Sequence, residues 1–275
     1  MPGITAKEVL CKSALNKTGI PSYEYCMNPY TGCSHGCLYC YASFMCRFSG
    51  HREKWGEFLD VKVNFPEMLK KQLNRRTPPK GRVLLGSVTD VYQPDEEEYE
   101  ITRASLELLA EYDQLEVHIL TKSNLIVRDI AVLKQLKGCQ TGFTITTVDD
   151  NAARVFEPNA AVPSLRLEAA EQLIKAGIYV WVFVAPLLPG ISDTDPALIS
   201  LFQSLHKIGI QDILIDFLNP YPLAVHNLKE AYSSHFPKAL PELNDYLQNQ
   251  GRYRLHGENR IMEIARAIGC EPSFI

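Results

Sequence analysis

The sequence predicts an α/β fold, a parallel sheet closed partway into a (β/α)6 barrel of the TIM type and followed by a C-terminal extension. Three observations predict it. Short apolar runs rich in β-branched residues recur from Arg82 onward at roughly 30-residue intervals, the length of one βα unit. The segments between them repeat apolar residues at helical spacing. Runs such as residues 180–185, VWVFVA, are apolar on both faces, as a parallel strand covered by helices requires.

In chain order the strands are expected near residues 23–27, 83–88, 117–121, 142–148, 179–185 and 213–218, six in all. Between the second and third, Ile101, Ala104, Leu108, Leu109 and Tyr112 fall on one stripe. Between the last two, Leu198, Leu201, Phe202, Leu205 and Ile208 do the same. Repeated βα units joined by right-handed crossovers close naturally into a barrel. An open doubly wound sheet is disfavoured, because no G-x-G-x-x-G run marks the first strand-to-helix turn. Beyond Asn219 the rhythm breaks at Pro220, Pro222, Pro237 and Pro241 before a last helix near residues 259–268. Residues 1–220 are therefore read as the barrel domain, and residues 221–275 as an extension packed on it over its mouth.

At 275 residues and 46% hydrophobic composition the chain can bury one large core. Its net charge of −4 gives no support for a generic nucleic-acid binder, which is usually basic. The one local basic segment, residues 70–82 (KKQLNRRTPPKGR), reads as a solvated helix end and loop. The N-terminus lacks the apolar stretch of a secretory signal, and no apolar run is long enough to span a bilayer. A cytoplasmic, reducing setting without a membrane partner is expected, with clustered thiols serving a metal rather than disulfides.

Those thiols are Cys33, Cys37 and Cys40, in the run 28–43, NPYTGCSHGCLYCYAS. Three cysteines in one short loop are one fewer than a closed metal site needs, since structural zinc and ordinary iron–sulfur clusters take four protein ligands. Three thiolates on a four-iron cluster leave one iron open to a small molecule. The competing reading is a zinc knuckle completed by His35 or another cysteine, which would make the chain a zinc-binding nucleic-acid module. No second Cys/His pair stands at zinc spacing.

In a parallel barrel, function gathers where strands end and loops begin. Read in order, those ends carry Gly86-Ser87-Val88-Thr89-Asp90, then Thr121-Lys122-Ser123, then Thr144, Thr146 and Thr147, then Pro186, Pro189 and Gly190, and finally Asn219-Pro220-Tyr221. Polar and turn-forming groups stand there in place of core residues. Lys122 suits a carboxylate. Asp90, Thr89 and Ser87 are acceptors for an ammonium or for ribose hydroxyls.

The C-x3-C-x2-C spacing, with Tyr39 before the last cysteine, resembles the cluster loop of the radical S-adenosylmethionine (radical SAM) superfamily. Together with GSVTDVYQP, ILTKS, FTITT, EPNA with Arg166, and APLLPGISD, it is similar to the spore-photoproduct-lyase-like branch, often labelled DNA repair photolyases. The resemblance covers roughly residues 25–222. It implies a [4Fe–4S] cluster on Cys33, Cys37 and Cys40, S-adenosylmethionine as cosubstrate, and a reductant such as ferredoxin or flavodoxin. It also implies that Thr89, Asp90 and Lys122 contact S-adenosylmethionine, with Thr144 or Thr146 nearby and Tyr39 packed on the cluster or the adenine.

One departure bears on the reaction. The lyase carries a cysteine just before its S/T-D pair, and that thiol quenches the product radical. Here the position is Ser87 or Val88, and a hydroxyl O–H bond is too strong to replace a thiol. The expected activity is therefore radical generation for hydrogen abstraction from an unidentified substrate. Repair of a nucleic-acid lesion is the alternative, with nucleic acid allowed as a partner but not favoured. Cys26 and Cys46 flank the loop as substitute donors, or as members of a second metal site with Cys11 or Cys270. Cys139, before its strand, is expected to be buried and inert. Glu157 and Arg166 are expected to form a salt bridge holding the loop after the fourth strand.

Overall fold

The structure, a computed structural model, describes residues 4–275. The chain falls into two units, the first containing residues up to Gly36, Ala42–Gly142 and Gln172–Tyr179, the second Cys37–Tyr41, Phe143–Glu171 and Val180–Ile275. The α/β class is the expected one: parallel strands alternate with helices in each.

The strands of the first unit are β1 (Thr5–Val9), β2 (Leu15–Lys17), β3 (Tyr25–Met27), β4 (Tyr30–Gly32), β5 (Phe58–Lys62), β6 (Gly81–Leu85) and β7 (Leu115–Thr121). A strand β8 (Gln140–Thr144) begins in this unit and ends in the other. β3, β6 and β7 run parallel, with Tyr25 opposite Val83 and Val83 opposite Val117, while β2 adds antiparallel to β3. Val83, Leu85, Val117 and Ile119 are fully or almost fully buried, as strands sandwiched in a parallel sheet must be. The helix Phe65–Leu73 buries Phe65, Leu69 and Leu73 and ties down β2 through Gln72. That side chain accepts from the amides of Ala14 and Leu15 at 2.7 and 2.8 Å and donates to the Leu15 carbonyl at 2.7 Å. A backbone edge that would otherwise be buried without partners is thereby satisfied.

The sequence pattern placed the end of β6 at residue 88, whereas the strand ends at Leu85. Gly86 turns the chain there with φ +90°, and a Cβ at this position would come 2.6 Å from the Leu120 carbonyl oxygen. Only glycine accommodates both the left-handed backbone and the close approach. The turn frees residues 87–90 to leave the sheet as a loop. A second, three-stranded sheet was not expected. In it β5 lies between β1, parallel, and β4, antiparallel, and β4 leads directly into the cysteine loop.

In the second unit, β9 (Tyr179–Leu187) and β10 (Ile213–Phe217) are parallel, with Val182 opposite Ile213. The two-residue β11 (Ser273–Phe274) adds to β10, again parallel. Just past β8, the Ile145 amide donates to the Phe183 carbonyl of β9 at 2.9 Å. The expected helical stripe is realised in Asp195–Lys207, which buries Leu198, Leu201, Phe202 and Leu205. The C-terminal segment forms Pro222–His235, Leu240–Gln248 and the long helix Gln250–Ile268, with prolines at the first turn of the first two, where a missing N–H costs nothing. Among the described residues no helix is long and apolar enough to cross a membrane.

Candidate functional site

In the first unit the site begins with the residues that hold the entry to the cysteine run. Thr89 donates its hydroxyl to the Gly32 carbonyl at 2.5 Å. Gln93 accepts from the Ser34 amide at 2.8 Å, and the Ser34 hydroxyl lies 2.9 Å from Asp95. His35 Nδ1 lies 3.4 Å from Asp90, which makes this histidine a packing partner of the strand end. The loop that Gly86 frees from β6 thus builds the bed on which residues 32–35 rest. Gly56 completes it: its φ is +94°, and a Cβ there would meet the Gly36 Cα at 2.6 Å.

Asp90, 8% exposed, is engaged on both oxygens. One accepts from the Tyr92 amide at 2.9 Å and the Thr121 hydroxyl at 2.7 Å, the other from the Lys122 amide at 2.7 Å. The carboxylate therefore locks the end of β6 to the end of β7 and fixes the backbone of Lys122. Ser87 accepts from the Asn28 side-chain amide at 2.9 Å, and the Asn28 side-chain oxygen accepts from the Val88 amide at 3.1 Å. Ser87, Thr89, Asp90 and Lys122 are thus gathered in one unit with Cys33.

In the second unit the other half of the run is held from the segment after β8. The Leu38 amide donates to the Phe156 carbonyl at 2.9 Å. Tyr39 donates to Glu157, and its oxygen lies 3.3 Å from that of Thr146. Thr146 in turn donates to the Ala185 carbonyl at 3.1 Å. The expected ion pair of Glu157 and Arg166 is formed, and Arg166 is fully buried. Its guanidinium also donates to the Thr144 carbonyl at 2.8 Å and the Ala161 carbonyl at 2.6 Å. Burial opposes the charge on Arg166, but the adjacent Glu157, with Tyr39 and Cys37, outweighs it and holds the guanidinium above its usual range. Burial, then the Glu157 charge, pushes the Tyr39 phenol well above its ordinary value. Tyr39, Thr144 and Thr146 are thus gathered with Cys37 and Cys40.

The donor set fits a three-thiolate cluster. Cys33 and Cys37 are buried and Cys40 is half-buried. Among the described residues no three His, Cys, Asp or Glu side chains converge as a single metal ion requires. A four-iron cluster makes no such demand, since each thiolate binds a different iron. Cys26, in β3, and Cys46, in the helical turn Cys46–Ser49, are half-buried. Cys139 is half-buried rather than sealed in the core, because the turn before β8 leaves it partly open. Desolvation still pushes its thiol up to about 12, which leaves it unreactive at neutral pH.

The second unit also holds a cavity of about 1250 Å³. One wall comes from the ends of β8 and β9, with Thr147, Asp149 and Gly190; the other comes from the C-terminal helices, with His235, Tyr253 and Arg260. Asp193 lies between them, accepting from the Gly190 amide at 2.7 Å and from Tyr253 at 2.6 Å. Burial raises its carboxyl above the usual range against the pull of those two donors. Gln93 stood in the run GSVTDVYQP without a role of its own, and no sequence pattern pointed to Tyr253 or Arg260; the partners of all three stand 59 to 67 residues away.

Comparison with known proteins supplies the context. The sequence model of the radical SAM superfamily matches residues 27–202. An uncharacterized protein of Methanocaldococcus jannaschii is 34% identical over 261 residues, 94% of this chain and 93% of that one. The spore photoproduct lyase of Bacillus subtilis is 25% identical over 242 residues, 85% of this chain and 67% of the lyase. The radical SAM Nα-GlyT isomerase of Pseudomonas phage M6 is 26% identical over 229 residues, 81% of this chain and 45% of the isomerase. Among solved structures, a spore photoproduct lyase double mutant with bound S-adenosylmethionine and dinucleoside spore photoproduct superposes with a TM-score of 0.71. That match covers 98% of this chain and 81% of the lyase at 17% identity, which establishes a shared fold.

Proposed function

The chain belongs to the radical SAM superfamily of enzymes, and from that premise we propose that Cys33, Cys37 and Cys40 hold a [4Fe–4S] cluster with one iron open to S-adenosylmethionine. When bound, this cluster supplies the electron that splits S-adenosylmethionine into methionine and a 5′-deoxyadenosyl radical for hydrogen abstraction. The observation that carries the reading is the run of three cysteines without a fourth, with each half fixed by buried hydrogen bonds inside its own unit.

The chain's own residues then divide the work. Lys122 provides the cation for the α-carboxylate of S-adenosylmethionine. Asp90 is a positioning residue, since its oxygens are already engaged by Tyr92, Thr121 and the Lys122 amide. Ser87, Thr89, Thr144 and Thr146 line the strand ends, and Tyr39 braces the second half of the loop on Glu157. The substrate takes the cavity at the ends of β8 and β9, whose far wall comes from helices beyond the matched residues 27–202. An external one-electron donor such as ferredoxin or flavodoxin completes the system.

Anaerobic reconstitution tests the assignment. About four irons and four sulfides per chain, with 5′-deoxyadenosine released on reduction, are expected. A zinc-loaded protein that cleaves nothing overturns it. Lys122→Ala should weaken S-adenosylmethionine binding to the reconstituted protein by about 1.5–3 kcal/mol, the range for a hydrogen bond to a charged group. Asp90→Asn should weaken it as well, because an amide N–H₂ then faces donors that now find an oxygen. Equilibrium binding measurements check both.

Chemistry on a nucleic acid is the second reading, favoured by the named lyase and its structures with dinucleoside spore photoproduct. Two relatives at 25% and 26% identity carry the names of a lyase and an isomerase, so identity at this level does not transfer a reaction. With no cysteine among residues 86–90, the donor that ends the lyase reaction is missing. The net charge of −4 also disfavours phosphate binding. Negligible conversion of dinucleoside spore photoproduct is therefore expected under conditions that release 5′-deoxyadenosine. Multiple-turnover formation of two thymidines would refute this and direct attention to Cys26 or Cys46.

A further inference from the structure

Three buried side-chain donors attached to the cysteine loop have no hydrogen-bond acceptor among the described residues: Gln93 Nε2, Trp55 Nε1 and Ser43 Oγ. Gln93 is fully buried. Its orientation is fixed, because the Ser34 backbone N–H at 2.8 Å can be accepted only by the amide oxygen. Its N–H₂ group is therefore left to find another partner, beside the residue that follows Cys33. Trp55 precedes Gly56, the position whose Cβ would collide with Gly36, so this segment lies against the middle of the loop. Ser43 sits three residues past Cys40 in the turn Tyr41–Met45 and is 6% exposed.

Buried polar groups without partners are rare and costly, and each one asks for an explanation. Here the three share both a place and a sign. Two are N–H groups that can only donate, the third is a hydroxyl able to donate, and all belong to segments that hold one loop. What they lack is an acceptor, and a negatively charged one would satisfy them best. The sulfides and thiolates of an iron–sulfur cluster are such acceptors. Resting on the cluster reading above, we propose that Gln93, Trp55 and Ser43, which share the first unit with Cys33, donate hydrogen bonds to the Cys33 thiolate and to the cluster sulfides beside it, and so raise the reduction potential of the cluster. Reduction adds negative charge to the sulfurs, and donors stabilise the reduced state more than the oxidised one. The consequence for function is a cluster that a weaker cellular reductant can reduce.

Trp55→Phe removes the indole N–H and part of the ring while keeping an aromatic side chain against Phe58. Ser43→Ala removes only the hydroxyl, and Gln93→Leu removes the amide. The wild type and the three variants would be reconstituted anaerobically, assayed for iron and sulfide, and titrated potentiometrically with EPR detection of the reduced cluster. The expected result is full iron content with a midpoint shifted to more negative potential in each variant, most in Gln93→Leu. Gln93→Leu also takes the acceptor from the Ser34 amide; should it fail to assemble a cluster, Trp55→Phe and Ser43→Ala decide. Wild-type midpoints in fully loaded variants would overturn the proposal and assign these donors to bound water. A wild type without a four-iron cluster would overturn the cluster reading itself, which the iron and sulfide assay distinguishes before any titration.

Discussion

Cys33→Ala, Cys37→Ala and Cys40→Ala, made singly, are each expected to abolish the visible iron–sulfur absorbance of the reconstituted protein and its release of 5′-deoxyadenosine. The loss should be complete rather than graded. A site with three protein ligands has no spare thiolate, and removing one leaves an iron held by too few donors. The other polar side chains between Cys33 and Cys37 are not expected to substitute. His35 is committed to Asp90, and Ser34 to Gln93 and Asp95. Cys139→Ala is the control, since that thiol is unreactive at neutral pH and precedes β8; its absorbance and cleavage should match the wild type. A single loop variant that keeps four irons and still cleaves S-adenosylmethionine would sink the assignment.

The cysteine loop was legible in the sequence because its information is local, three cysteines within eight residues. The parallel strands were legible because runs such as 180–185 carry the sheet's environment in their composition. The strand ends were legible as a set, and the Glu157–Arg166 pair was legible through the family resemblance, in which these residues frame the loop after the fourth strand. What stayed hidden is long-range. Asp90 reads from the sequence as an acceptor for a ligand, but the structure gives its oxygens to Tyr92, Thr121 and Lys122. Gln93 lies in the run GSVTDVYQP but has no role there until Ser34, 59 residues away, is placed beside it. The sheet of β1, β5 and β4 escaped notice because TAKEV and YTG mix polar and apolar residues without a clean alternation. β11 is only two residues long and owes its existence to β10. In each case the deciding partner lies far along the chain, where periodicity carries no signal.

Arg166→Met is expected to destabilise the protein by about 3–5 kcal/mol, the cost of breaking a buried ion pair by removing one partner. The size follows from what the guanidinium satisfies. It is fully buried, pairs with Glu157, and caps the carbonyls of Thr144 and Ala161. Removing it leaves a buried carboxylate that has lost this guanidinium and two carbonyls without their donor. The double variant Glu157→Leu/Arg166→Met separates these contributions. With no uncompensated charge left, it should recover part of the loss. It should remain below the wild type because the two carbonyls have lost the guanidinium and the Tyr39 hydroxyl has lost the Glu157 acceptor, at about 1–3 kcal/mol each if they stay dry. Urea unfolding of the protein without cluster measures both variants free of metal content. Were the single and double variants equally destabilised, the loss would come from carbonyl capping and not from the orphaned charge. Were neither destabilised, Arg166 would not be the strut that holds the loop after β8. In reconstituted protein the same substitution should lower cluster occupancy, since Glu157 holds Tyr39 and Tyr39 stands between Cys37 and Cys40 in the chain.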